Sequence, residues 1–225
     1  MTRIVLHHAP QTRSMRSLWL LHELGVPFEV AHQGFDKSLR DPKYLKLSPA
    51  GRVPALEIDG QRMFETGAIT EYLCERFPEA GLGRDIGSSE RMMWLVWVHF
   101  AETISQHVAA LTQQHLVLRD DTMRSAAVMT LEAARLGKCY DALETQLETT
   151  RASSGMLLAG GFSAADVSVG QAVYLGRKFR TLDQHPAVAA WFGHLEARDA
   201  FRASLPDKSE ELYTQDFYPA WEMPT

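Results

Sequence analysis

Three short stretches of the chain combine residue types suited to gripping a charged ligand. The first, Leu6-His7-His8-Ala9-Pro10-Gln11-Thr12-Arg13-Ser14-Met15-Arg16, passes from a β-like segment into a helical one and crowds hydroxyl, amide and basic groups at a helix N-terminus. Unbonded N–H groups and the positive end of the helix dipole favour an anion there. Equally, Thr12 or Ser14 can act only as an N-cap that satisfies those donors itself. In the second stretch, Pro49-Ala50-Gly51-Arg52-Val53-Pro54-Ala55-Leu56, a proline opens a strand. It either guards an edge strand or forms a cis bond that turns the preceding backbone toward a ligand. The third, Phe64-Glu65-Thr66-Gly67-Ala68-Ile69, leads from a strand end straight into a helix with Thr66 as candidate N-cap, again an anion site or a plain cap.

The elements that must hold these loops read as follows. Ile4 to His7 is a strand, and Ser14 to Leu24 carries Met15, Leu18, Leu21 and Leu24 at helical spacing before Gly25 and Pro27 stop it. Phe28 to His32 predicts a second strand, and a polar loop runs on through Pro42 and Pro49. Val53 to Ile58 and Arg62 to Phe64 then flank the hairpin dipeptide Asp59-Gly60. Ile69 to Phe77 is helical and Pro78 ends it, so residues 1–77 form one small α/β domain in the order βαβ, loop, ββα. Residues 78–89, with Gly81, Gly83, Gly87, Ser88 and Ser89, read as a linker, and their glycines follow a helix rather than the strand a nucleotide loop needs. Residues 90–225 show only helical periods, over Glu90–Leu118, Met123–Glu148, Ala164–Lys178 and Pro186–Phe201, which makes this part an all-helical bundle. Ser163-Ala164-Ala165-Asp166 is a capping box opening the third of these, a structural role for Asp166.

Composition narrows the function classes. With 225 residues, 45% hydrophobic and 23% charged, the chain has the makings of one large or two modest globular domains. Its formal net charge of −5, about +1 on residues 1–77 and −6 on the rest, argues against nucleic acid as a partner. The two cysteines, Cys74 and Cys139, have no CxxC spacing and no Asn occurs, so neither a disulfide framework nor an N-glycosylation site is available; a reducing, cytoplasmic setting fits. No signal-peptide pattern opens the sequence, and the most apolar run, Met92 to Phe100, is far too short to cross a bilayer. None of HExxH, CxxC and GxxxxGK[ST] is present, so zincin, thiol-disulfide and P-loop mechanisms have no support, and no metal ligand is assigned.

Taken together, the three stretches resemble the glutathione-binding domain of the soluble glutathione transferases, which is thioredoxin-like and is followed in that family by an all-helical bundle. Gly51-Arg52-Val53-Pro54-Ala55-Leu56 matches the family's Gly-Lys/Arg-Val-Pro-x-Leu, and Glu65-Thr66 its Glu/Gln-Ser/Thr pair. Leu18-Trp19-Leu20-Leu21-His22-Glu23-Leu24-Gly25-Val26-Pro27-Phe28-Glu29 looks like its first helix and second strand, and Ser163-x-x-Asp166 like its late capping box.

The resemblance implies that Val53 meets the cysteinyl backbone of glutathione, that Glu65 meets the γ-glutamyl ammonium and Thr66 its carboxylate, and that Arg52 meets the glycyl carboxylate. Thr12 stands where serine-type members carry the hydroxyl that stabilises the thiolate, with Ser14 and Gln11 as other donors. The resemblance further implies a homodimer that conjugates glutathione, as co-substrate and without a further cofactor, to a small hydrophobic electrophile held between the domains. His99, Thr103 and Gln106, with Glu102 and His107 beside them, form a polar face of the first long helix that either lines that pocket or is satisfied within the bundle or simply solvated. The aromatic tail, Tyr213, Phe217, Tyr218 and Trp221, either covers the cleft or packs on the bundle. A glutathione-dependent disulfide or peroxide reductase and a non-catalytic glutathione-fold scaffold are the alternatives.

Overall fold

A computed structural model describes residues 2–34 and 36–217, and these divide into two compact units. The first is Met1–Arg91 joined by Glu196–Leu212; the second is Met92–Leu195 with Tyr213–Thr225.

In the first unit, strand β1 (Ile4–His8) leads into helix α1 (Ser14–Leu24), strand β2 (Glu29–His32), a short helix α2 (Pro42–Leu45), strands β3 (Ala55–Ile58) and β4 (Gln61–Phe64), and helix α3 (Thr66–Arg76). The sheet order is β2-β1-β3-β4, with β1 and β2 parallel and the other pairs antiparallel. This is the thioredoxin-like arrangement. Each boundary has a local cause. Gly25 takes a left-handed φ of 66° and closes α1 through its N–H to the His22 carbonyl, a conformation glycine adopts without a Cβ penalty. Asp59 and Gly60 both have positive φ, as a two-residue hairpin turn requires. Asp41 caps α2 by accepting from the Lys43 N–H at 2.7 Å. The apolar stripe of α1, with Met15, Trp19, Leu20 and Leu21 fully buried, packs on β1, whose Ile4 and Leu6 are buried as well.

Two expectations about segment limits change. The helical period from Pro186 to Phe201 is broken into α7 (Pro186–Glu196) and α8 (Asp199–Ala203) by an extended Arg198, and α8 belongs to the first unit rather than to the bundle. Local periodicity does not register that break, because the contacts that reward it are remote. Phe201 stands edge-on to Trp19 at 4.9 Å, and Arg198 gives Nε and Nη2 to the two carboxylate oxygens of Glu23 at 2.6 and 2.7 Å. Residues 78–89, read as a linker, belong to the first unit as well. Leu82 is buried, Arg84 donates to Glu90 at 2.8 Å, and Arg91 Nη1 donates to the Arg84 carbonyl at 2.8 Å.

The second unit is helical. Helix α4 (Arg91–Thr112) ends in a wide turn over Gln113–Val117; α5 (Ala126–Thr150), α6 (Ala164–Gly176) and α7 follow. Every residue of α6 is buried, so it is the centre about which the other helices pack. The capping box is present in full. Asp166 accepts from Ser163 N–H at 2.9 Å, Leu157 N–H at 3.0 Å and the Trp191 indole N–H at 2.9 Å. The tail as far as it is described packs on this unit. Tyr213 and Thr112 share a hydroxyl hydrogen bond of 2.8 Å and Phe217 stacks on Phe179 at 5.3 Å. Tyr218 and Trp221 lie outside the described residues. No helix among the described residues is long and apolar enough to cross a membrane.

Candidate functional site

Strand direction brings the three ligand-suited stretches to one place. In the β1–β3 ladder His7 faces Ala55, and in the β3–β4 ladder Ala55 faces Phe64. The end of β1, the start of β3 and the end of β4 are therefore level. The loop carrying Thr12, the turn carrying Arg52 and Val53, and the Glu65-Thr66 step all leave the same edge of the sheet, beside the N-termini of α1 and α3.

Within the first loop the two hydroxyls differ in access. Thr12 is half-buried and donates to the Ala9 carbonyl at 2.7 Å, whereas Ser14 is fully buried, 2.8 Å from both Thr12 Oγ1 and His8 Nδ1, and accepts from the Ala9 N–H at 3.1 Å. Neither is the N-cap of α1, which is Arg13 without a side-chain cap bond. Gln11 is buried with φ at 49°, and its side-chain carbonyl accepts from the Leu212 N–H. Burial presses the His8 imidazole down to about pKa 4, with His32 adding to the effect and Ser14 opposing it, so the ring is uncharged at neutral pH.

The second stretch contains a cis Val53–Pro54 bond. Edge protection is not its purpose, since β3 is an interior strand. Pro54 stands just before the first paired residue, Ala55, where the ladder asks for no N–H from it. Val53 is beyond the last paired position, and Arg52 is exposed. Gly51 (φ 61°) is required here because a Cβ would come within 2.9 Å of the Leu39 carbonyl oxygen. Tyr44 then pins the turn by donating to the Arg52 carbonyl at 2.8 Å. In the third stretch the N-cap is Glu65, exposed and held at φ 74°, and Thr66 is the first helical residue, buried. A non-glycine residue in that region is strained, and strain of this kind gathers at ligand sites.

One contributor escaped the sequence reading. Arg16 is wholly buried and its Nη1 donates to Thr66 Oγ1 at 3.1 Å, tying the start of α1 to the start of α3 beneath the loop edge. The available signal was an arginine among the apolar positions of α1 with no acidic residue within a helical turn of it. Such a cation must find its partner at long range.

Comparison with known proteins bears on this geometry. The family profile described as the glutathione S-transferase N-terminal domain matches residues 1–75. Glutathione S-transferase F13 of Arabidopsis thaliana is 30% identical over 203 residues, covering 85% of this chain and 89% of its own length. The chain belongs to the glutathione S-transferase family.

Solved structures agree on the architecture. A glutathione transferase homolog from Lodderomyces elongisporus superposes with a TM-score of 0.81 at 20% identity, covering 90% of this chain and 97% of its own, and at that identity it supports the fold alone. A sphingomonad glutathione S-transferase complexed with glutathione is 26% identical, TM-score 0.73, covering 92% and 98%. The chain is thus an enzyme, a glutathione transferase. In this transferase neither cysteine has the access or acidity of a nucleophile. Both thiols are buried, and burial pushes Cys74 up to about 12 and Cys139 up to about 11. Of the polar face expected on α4, His99, Thr103 and Gln106 are exposed. His107 is instead buried against α5, 2.7 Å from Glu132, whose other oxygen accepts from Arg135 at 2.6 Å, so it serves the bundle's own hydrogen bonding.

Proposed function

We propose that this transferase binds glutathione across the loop edge of its sheet and conjugates the thiolate to a hydrophobic electrophile. The observation that carries this reading is the convergence at one edge of a half-buried hydroxyl, an extended backbone turn and a polar helix start. In the proposed pose Thr12 donates to the sulfur. Val53 pairs its main chain with the cysteinyl residue, Glu65 takes the ammonium, and Thr66 with the α3 N-terminus takes the γ-glutamyl carboxylate. Arg52, exposed on the neighbouring turn, takes the glycyl carboxylate.

The Thr12 hydroxyl suffices for the activation required. Lowering a thiol from about pKa 8.5 by about two units takes roughly 2.7 kcal/mol, within the range of one charge-assisted hydrogen bond. The thiolate fraction at neutral pH then rises about 25-fold. A Brønsted slope near 0.4 to 0.5 gives back about six- to tenfold of that in nucleophilicity. The net gain from ionisation is only a few-fold, so most of the acceleration comes from holding the sulfur beside the electrophile. We further propose a homodimer in the cytoplasm, the cytoplasmic setting supported by the two free cysteines.

The test is turnover with glutathione against aryl halides, disulfides and hydroperoxides. Conjugation of the halides supports the reading. Thiol exchange with the disulfides alone would make the enzyme a reductase, and silence throughout with retained glutathione binding would make it a scaffold.

A further inference from the structure

The hydrogen-bond chain behind Thr12 holds a proton count that its oxygens cannot meet alone. The three shortest contacts run in series: Ala9 carbonyl to Thr12 Oγ1 at 2.7 Å, Thr12 Oγ1 to Ser14 Oγ at 2.8 Å, and Ser14 Oγ to His8 Nδ1 at 2.8 Å; the Ala9 carbonyl also lies 3.1 Å from Ser14 Oγ, a longer approach that competes for the Ser14 proton. Each of the three short contacts needs one proton, and two hydroxyls supply two. The carbonyl can only accept, so filling the shortest contacts first sends the Thr12 proton to Ala9 and the Ser14 proton to Thr12, ahead of the longer approach of Ser14 to Ala9. The third contact is left to His8. Were Ser14 to donate to the ring instead, the single Thr12 proton could fill only one of that hydroxyl's two short contacts, and either the 2.7 Å approach at Ala9 or the 2.8 Å approach at Ser14 would hold no proton.

From this count we infer that His8 carries its proton on Nδ1 and is a positioning residue for the thiol step, driving a one-way chain from His8 through Ser14 to Thr12. The inference rests on the glutathione reading above and adds the group that sets the direction of the chain. When a sulfur arrives, Thr12 turns its proton from Ala9 to the thiolate, exchanging a neutral acceptor for a charged one, and its close contact with the carbonyl opens. Ser14 continues to donate into Thr12 from behind, and His8 into Ser14. Successive donors polarise one another, so Thr12 becomes a stronger donor than a lone hydroxyl. With the other tautomer Ser14 would give its proton to the ring and could no longer donate into Thr12 from behind.

The site is built for such a role. Ser14 and His8 are buried, and the main-chain N–H of Ala9 gives Ser14 a further donor without competing for its proton. Burial also keeps the ring uncharged at neutral pH, with one N–H to place. The other titratable groups around it are histidines, His32 edge-on at 6.2 Å and His22, with Asp207 and Glu210 across the same cleft of about 280 Å³ that His8 lines.

Two measurements decide it. Histidine-nitrogen NMR of the parent protein at neutral pH should show His8 neutral with the proton on Nδ1; a proton on Nε2 overturns the inference without any variant having to fold. Ultraviolet titration of enzyme-bound glutathione should show that His8→Leu raises the apparent thiol pKa by about half to one unit, roughly three- to tenfold less thiolate at a given pH. His8→Asn, whose amide can donate from nearly the same place, should restore it while glutathione affinity stays within about twofold in both variants. Bound glutathione with an unmoved thiol in His8→Leu overturns the chain alone. A parent protein that fails to bind glutathione overturns the function proposed above, and the role of His8 with it.

Discussion

At the scale of single residues, Thr12 and Ser14 show how two similar side chains two positions apart acquire different surroundings. Ser14 is sealed between His8 and the Ala9 backbone, while Thr12 keeps part of its surface open. Thr12→Val is therefore expected to cut conjugation at least several-fold with glutathione affinity nearly unchanged, and Thr12→Ser to recover most of the loss, as steady-state kinetics will show. Unchanged turnover in Thr12→Val would hand the thiolate to Ser14 or a main-chain amide. Glu65 and Thr66 carry binding rather than chemistry in this scheme. Replacing both with alanine should abolish retention on immobilised glutathione, and a double variant still retained would discredit the pose. Arg16 sharpens the expectation for Thr66, because a buried guanidinium holds that hydroxyl in place.

Among the elements, two are anchored by a single polar residue each. Asp166 closes the first turn of α6 and also takes the indole N–H of Trp191 and the amide of Leu157, so no neutral apolar residue can replace it. Losing the cap costs about 1 kcal/mol and each buried donor left without an acceptor about 1 to 3 more. Asp166→Ala should lower unfolding stability by about 3 kcal/mol or more in urea; a change below 1 kcal/mol would mean that water reaches those donors. Helix α8 depends on the fork of Arg198 onto Glu23, which also accepts from the Trp19 indole at 2.9 Å. Arg198→Ala should loosen Glu196–Leu212 and expose it to limited proteolysis ahead of the rest of the first unit. Equal protease resistance would show that Phe201 on Trp19 is enough to hold it.

Across the whole molecule, buried histidines tie stability to pH. Burial depresses both His8 and His115 to about 4 from an ordinary value of 6.5, with His32 and Arg124 respectively adding to the effect. The unfolded chain therefore binds more protons than the folded one between those values, and stability falls as pH drops from about 6.5 toward 4. Thermal midpoints recorded across that interval should decline on acidification, and His8→Asn should flatten part of the decline. A midpoint rising toward pH 4 would contradict the sign.

Much of the molecule was legible in the chain itself, and for a physical reason. Helical and strand periods, the Asp59-Gly60 turn, the Gly25 stop and the Ser163–Asp166 capping box are consequences of backbone preference within a few residues, and each stands where local chemistry requires it. The site loops were legible for the same reason, since Gly51-Arg52-Val53-Pro54 and Glu65-Thr66 are local patterns. Long-range contacts decided the rest. Only the register of β1, β3 and β4 brings the three loops to one edge. Only folding shows that Thr66 follows the cap rather than forming it, that the Gln11 side-chain carbonyl accepts from Leu212, and that the helical period after Pro186 is cut at Arg198 so that α8 can return to α1. Short-range propensity is a property of neighbours in sequence. Which buried donor meets which buried acceptor is settled when distant segments close around them and exclude water, and no window of the sequence contains that event.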